Sequence, residues 1–265
     1  MHKSLFVSIL LAVGVVAPAQ AQEATTRSPG FYAGVFGGAG AAIAHSLQQR
    51  GAVHVNERFS LPINAKGSTE NSTSVGLGGL QFGHEWDALP LGDSLKVRPA
   101  LELEAVYIGK HSPTGVMPVI PRALGTQYVT VPLKAGLILA NAVFTFDTPW
   151  SDRLFPYLGL GAGAARISIR GADSFNPMEP GINHFNSDPD ASDTAFAMQL
   201  RAGFKIQVSR QLQLFTEYRH LTIAPTRYTF GATDYPGLHL PTADWRVDLG
   251  RQKYNLFVAG LQYRF

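Results

Sequence analysis

Residues 193–208 alternate without a break. Phe196, Met198, Leu200, Ala202, Phe204, Ile206 and Val208 form one row, and Ala197, Gln199, Arg201, Gly203, Lys205 and Gln207 form the other. A period of two puts these rows on opposite faces of a β-strand, whereas a helical period would scatter them. One face of this segment is wholly apolar and the other is mainly polar. A strand of this kind separates a greasy medium from a wet one.

The same pattern recurs elsewhere. Leu95, Val97, Leu101, Leu103, Ala105 and Tyr107 alternate with Lys96, Arg98, Glu102 and Glu104. Leu212, Leu214, Thr216 and Tyr218 alternate with Gln213, Glu217 and Arg219, and the chain ends with Phe257, Ala259, Leu261, Tyr263 and Phe265 opposite Gln262 and Arg264. Eight segments have strand character, at about residues 31–43, 74–84, 95–108, 127–146, 156–169, 193–208, 212–221 and 253–265. The first two are rich in glycine, so their faces are not assigned. Pro99 and Pro132 fall inside proposed strands, where a missing N–H marks a bulge or a strand end.

The connections between these segments measure about 30, 10, 18, 9, 23, 3 and 31 residues, long and short in turn. A transmembrane barrel has this arrangement, with tight turns on the periplasmic side and long loops outside the cell. The expected fold is therefore all-β: an eight-stranded antiparallel up-and-down transmembrane barrel with lipid outside and a polar lumen. Its extracellular loops are expected at about 44–73, 109–126, 170–192 and 222–252. Tyr32, Trp86, Tyr107, Trp150, Phe155, Tyr157, Tyr254 and Tyr263 lie near strand ends, where interfacial girdles form.

The amino terminus fits export. Met1-His2-Lys3 is followed by an apolar stretch from Leu5 to Ala17 and by Ala19-Gln20-Ala21, a small-x-small cleavage site. The chain divides into a signal peptide at 1–21, an N-terminal periplasmic segment at 22–30 and the barrel domain at 31–265. Cleavage after Ala21 leaves 21 basic and 19 acidic residues, a surplus of 2, with no basic stripe of the kind nucleic acid needs. The chain has no cysteine, so disulfides and metal thiolates are excluded and stability rests on burial or on lipid. After the signal, the longest apolar stretch is about Leu133 to Phe146, interrupted by Lys134 and Asn141, too short for a transmembrane helix.

The segments "FYAGVFGGAG" from Phe31, "PYLGLGAGAA" from Pro156, "LQLFTEYRHL" from Leu212 and the ending "YNLFVAGLQYRF" resemble the OmpA-like and opacity-protein family of eight-stranded outer-membrane barrels. The resemblance implies an outer-membrane protein with a structural or surface-interaction role. Envelope integrity and adhesion through the outer loops are the expectation, and a small-solute or ion pore is the alternative. It also implies that Phe257, Ala259, Leu261, Tyr263 and Phe265 form the sorting signal read by the outer-membrane assembly machinery. Further expected partners are outer-membrane lipid and lipopolysaccharide, and an extracellular ligand or host surface at the loops.

Lys96, Arg98, Glu102, Glu104, Lys134, Arg201, Lys205, Glu217, Arg219 and Arg264, seven bases and three acids, are the expected inward charges. A barrel of eight strands is just wide enough to be filled by side chains, so such charges either pair into a plug or line a gated conduit. Gly159-Leu160-Gly161 with Ala164 echoes a dinucleotide fingerprint, but Arg166-Ile167-Ser168-Ile169 continues as strand where a fingerprint opens a helix. No cofactor is expected. Asp188, Asp190 and Asp193, with Asp173 and Glu179 nearby, lack the Gly and closing Glu of a calcium loop and read as a solvated acidic loop. His220 and Thr222 form a His-x-hydroxyl pair similar to that of lipid A deacylases, with Asp234, Asp244 or Asp248 as the candidate third member. The expectation is a protein that is not an enzyme, with a lipid A-modifying hydrolase as a further alternative.

Overall fold

A computed structural model describes residues 28–69, 72–92, 94–235 and 240–265. The expected signal peptide lies outside the described residues, as does the segment before Ser28. Sixteen strands run in chain order: β1 (Gly30–Ile43), β2 (Ser46–Asn56), β3 (Phe59–Thr69), β4 (Ser72–Glu85), β5 (Leu89–Pro90), β6 (Lys96–His111), β7 (Thr114–Ile120), β8 (Thr126–Thr130), β9 (Leu133–Asp147), β10 (Leu154–Ile169), β11 (Asp173–Phe175), β12 (Ala191–Gln207), β13 (Leu212–Ile223), β14 (Thr226–Phe230), β15 (Trp245–Leu249) and β16 (Gln252–Arg264).

Eight of these, β1, β4, β6, β9, β10, β12, β13 and β16, pair antiparallel with both neighbours, and the ring closes where β1 meets β16 from Tyr32↔Arg264 to Ile43↔Lys253. Closure is what lipid demands, because an open edge would leave N–H and C=O groups without partners in hydrocarbon. Seven of the eight expected segments coincide with barrel strands to within a few residues. The fourth splits at Pro132 into β8, which leaves the barrel, and β9, which stays in it. Pro99 is accommodated differently. Its carbonyl accepts from Trp86 N at 3.0 Å, so its missing N–H also faces the β4 side, just past the last pair Glu85↔Ala100.

The outer wall is mainly apolar. Phe82, Leu101, Ile138, Leu158, Leu200 and Phe257 are among the side chains exposed on it. The aromatic girdle is thinner than expected: Trp86, Tyr107, Trp150 and Tyr263 are exposed, but Tyr32, Phe155, Tyr157 and Tyr254 point into the barrel. The reason is parity, since these four share the inward row of their strands with Phe36, Gly159 and Leu256.

The four long connections are not loops. β2 and β3, β7 and β8, β11, and β14 and β15 form a second sheet in the order β11-β8-β7-β3-β2-β15-β14, which we call the crown. The third connection meets both edges of this sheet. β11 pairs with β8, and at the far end Gly231 N donates to Asp188 O at 2.9 Å beside β14. Leu47, Met117, Val129, Phe185, Phe230 and Val247 are buried inside the crown.

The lumen also departs from the expected polar interior. On each of β6, β9, β13 and β16 the inward residues nearer the crown are apolar: Val106 and Ile108, Leu137 and Leu139, Leu221 and Ile223, and Leu256 and Val258. The charged inward residues follow on the periplasmic side of these, while Gln252 and His111 are buried beyond them at the crown end.

Candidate functional site

Five charged side chains from strands on opposite sides of the barrel meet below the apolar layer. Arg201 on β12 donates from Nη2 to Glu102 Oε1 at 2.8 Å and from Nη1 to Glu104 Oε1 at 2.6 Å, both acceptors lying on β6. Arg219 on β13 holds Glu217 Oε1 at 2.7 Å and Glu104 Oε1 at 2.9 Å, and its guanidinium lies 4.8 Å from the centre of the Phe36 ring. Charge-assisted bonds of this kind are the strong ones. They satisfy carboxylates that burial would otherwise make prohibitively costly.

Neutral groups complete the set. Tyr32 OH donates to Glu102 Oε2 at 3.0 Å, and Tyr157 OH donates to Glu217 Oε2. Gln199 reaches Glu104 Oε2 at 2.5 Å and Asn141 Oδ1 at 2.7 Å. Glycine makes the space for this: a Cβ on Gly161 would stand 1.8 Å from Asn141 Oδ1, so the glycines of the apparent dinucleotide fingerprint leave room inside a strand. Nearer the periplasm, Arg264 Nη2 pairs with Glu85 Oε1 at 2.8 Å, and Lys205 Nζ lies 4.0 Å from Glu85 Oε2 and 5.2 Å from the Tyr157 ring centre.

Not every expected inward charge joins this cluster. Lys96 is exposed at the periplasmic end of β6. Arg98 pairs with Asp147 at 2.7 Å on the periplasmic rim. Lys134 shares the outward row of β9 with Ile138 and Phe144, at the crown end. Its phase is hidden in the sequence because β9 is apolar on both faces. Glu85 was missed: it sits one residue beyond the expected second strand. Without those three bases and with Glu85, the buried set holds four bases (Arg201, Lys205, Arg219, Arg264) and four acids (Glu85, Glu102, Glu104, Glu217).

On the outer wall, His220 and Thr222 of β13 lie beside Asn255 of β16. His220 Nδ1 is 2.7 Å from Asn255 Oδ1, which also accepts from Tyr218 OH at 2.7 Å. An amide oxygen facing Nδ1 sets that nitrogen as the N–H and leaves Nε2 as the acceptor, with Thr222 Oγ1 3.4 Å away. Asn255, and none of the three aspartates, stands beside His220: Asp248 is bound to Arg227 at 2.9 Å in the crown, and Asp234 and Asp244 lie in the connection between β14 and β15. Asn255 was readable from parity alone, as the one amide in the outward row of Phe257, Ala259 and Leu261.

The acidic connection spends its carboxylates locally. Asp190 Oδ1 accepts from Gly171 N at 2.8 Å, Asp188 Oδ1 from Asp190 N at 3.1 Å, and Asp193 Oδ2 from Arg227 N at 2.8 Å. Among the described residues no group of three or more His, Asp or Glu side chains is placed to hold a metal ion.

A closed ring of eight strands with an apolar wall outside and paired charges within defines a transmembrane β-barrel of the outer membrane. Residues 7–265 match the family described as outer membrane protein beta-barrel domain, and the chain belongs to that family. Among solved structures it is similar to the outer membrane protein OprG from Pseudomonas aeruginosa (13% identity over 91% of this chain and 98% of that one, TM-score 0.44). It is also similar to Neisserial surface protein A (15% identity, 89% and 97%, TM-score 0.38) and to the outer membrane protease OmpT from Escherichia coli (8% identity, 92% and 100%, TM-score 0.41). A comparison with curated protein sequences gives no match.

Proposed function

We propose that this protein is a non-conducting anchor that holds a folded crown outside the outer membrane to recognise an extracellular ligand or surface. The observation that carries the reading is that the lumen holds apolar side chains on the crown side of a cluster of paired charges. Ions crossing the apolar layer formed by Ile108, Leu139, Leu221 and Leu256 would shed water with nothing to replace it, the principle of a hydrophobic gate. The charge-balanced cluster below then fills the bore. Function on a rigid scaffold falls to its outer connections, and here those connections are themselves ordered as a sheet.

Delivery follows the sequence reading: cleavage after Ala21, and recognition of the outward row Phe257, Ala259, Leu261, Tyr263 and Phe265 by the assembly machinery. Lys134, outward at the crown end of β9, would meet a lipopolysaccharide phosphate there. Purified protein in planar bilayers tests the anchor reading. Silence under a voltage ramp is expected, and steady ohmic steps would overturn it.

A second reading attaches to the outer wall. The Asn255–His220–Thr222 line is a hydroxyl with a base and an orienter, facing acyl chains at the outer end of the barrel. Thr222 Oγ1 would attack a lipid ester carbonyl while His220 Nε2 takes its proton and returns it to the departing alcohol. Water would then release the acyl group. Mass spectrometry of lipid A from cells carrying the wild type or Thr222→Ala decides it: loss of one acyl chain only with the wild type supports hydrolysis, and identical lipid A rejects it.

A further inference from the structure

All four outer connections converge on one cavity of about 250 Å³. Its bed is apolar, made by Val53, Leu61 and Ile63 of the β2–β3 hairpin with Val119 and Leu124 of the second connection. The opposite wall is polar and comes from the third and fourth connections, chiefly Glu179, His184 and Tyr235.

This wall is built from interlocked groups. His184 is buried, with Nε2 2.6 Å from Glu179 Oε2 and Nδ1 2.8 Å from Ser174 O. Tyr235 OH donates to the same Glu179 oxygen at 3.1 Å, and the Trp245 ring stands edge-on to His184 at 6.2 Å. Asn176 ties the two sides together, donating to Leu124 O at 2.8 Å and accepting from Met178 N at 3.0 Å. Gly125, at φ +80°, turns the chain beneath Met178, where any side chain would strain the backbone. A cavity held open in this way needs little ordering when a ligand enters, which favours binding.

The charge of the lining selects the ligand. Among the described residues no Lys or Arg lines the cavity. The Glu179 side chain is 42% exposed against 6% for His184, and His184 carries charge only when protonated. Both of the described contacts on Glu179 fall on Oε2; among the described residues nothing donates to Oε1. A ligand carboxylate or phosphate would be repelled by the Glu179 carboxylate, and His184, the one ionisable base among the described lining residues, is buried with both ring nitrogens already against acceptors. An ammonium would find a carboxylate oxygen and the aromatic ring of Tyr235, the pairing that recognises cations. In size, about 150 Å³ suffices for benzene, so this cavity takes an apolar body of about ten heavy atoms.

We infer that the crown binds a small apolar amine, its hydrocarbon body on the bed of Val53, Leu61 and Ile63 and its ammonium on Glu179. The inference rests on the reading of the crown as a recognition element, and it names the class of ligand recognised. The test is calorimetric titration of the full-length barrel in nanodiscs with 4-phenylbutylamine, 4-phenylbutanol and 4-phenylbutyrate, with Ile63→Trp as the filled-cavity baseline. The amine is expected to bind at least tenfold more tightly than the carboxylate, with the alcohol between them. Glu179→Gln should erase that order while keeping alcohol binding, and retained heat-modifiable gel mobility shows that each variant is folded. An amine that binds no better than the carboxylate, or a preference unchanged in Glu179→Gln, overturns the inference. Conductance in bilayers overturns the anchor reading whichever way the titrations fall, so the two failures are distinguishable.

Discussion

Arg219 and Glu104 bridge the barrel through its interior: Nη2 of one lies 2.9 Å from Oε1 of the other, yet β13 and β6 are not neighbours in the sheet. The link is therefore independent of the backbone ladder and ties opposite walls together. Glu104 holds Arg201 at the same time, so one carboxylate anchors two guanidinium groups.

Removing Glu104 leaves both arginines short of a counter-charge in a buried site. Breaking a buried pair by deleting one partner costs about 3–5 kcal/mol. Glu104→Ala is expected to destabilise the refolded barrel by that order, read as a lower urea midpoint, whereas Lys96→Ala, at an exposed strand end, should leave the midpoint unchanged within error. Equal midpoints for Glu104→Ala and wild type would mean the cluster contributes nothing to the fold.

The apolar layer makes a second, separate prediction. Leu139 is fully buried inside the barrel and Leu200 is exposed on the lipid wall. Leu139→Ala loses transfer energy and leaves a cavity; Leu200→Ala loses transfer energy only, because lipid closes over the gap. The inward variant should be the more destabilised by about 1–3 kcal/mol, the range expected when a cavity persists. Equilibrium unfolding of both variants in the same vesicles measures the difference.

Alternation made the barrel legible. Glu102, Glu104, Arg201, Glu217 and Arg219 could be placed in the lumen because each lies opposite a clear apolar row. Where both rows are apolar, as in β9, parity has no contrast to work with, and Lys134 fell on the wrong face. Where glycines fall in both rows, as in β1 and β4, Tyr32 and Glu85 could not be oriented. The crown was not legible because its pairings join different connections. Ala65↔Val119 links the first to the second, and Leu47↔Leu249 the first to the fourth, and neither partner's local sequence specifies the other.

Glycine placement yields a paired test. Gly161 faces Asn141, and a methyl there would collide with the amide oxygen, whereas a methyl at Gly136 meets nothing within 4 Å. Gly161→Ala should displace Asn141 and its bond to Gln199, lowering the fraction that refolds to the heat-modifiable form. Gly136→Ala should refold like wild type, and similar yields for the two would show that the lumen has slack at this point.

The junction between barrel and crown should respond to acid. His45, between β1 and β2, is buried, its backbone N–H bonds Thr69 Oγ1 at 3.1 Å and its carbonyl accepts from Thr69 N at 2.9 Å. Burial pushes the imidazole below its usual value, and nearby His111 acts in the same direction. A histidine whose folded form resists protonation contributes stability that is complete above the ordinary value of about 6.5 and is lost as pH falls below it, because the unfolded chain then binds the extra proton. Limited proteolysis of the crown should accelerate between pH 7 and pH 5 in the wild type. His45→Gln, which cannot take up that proton, should flatten the profile, and an equally steep profile in that variant would assign the acid sensitivity to another group.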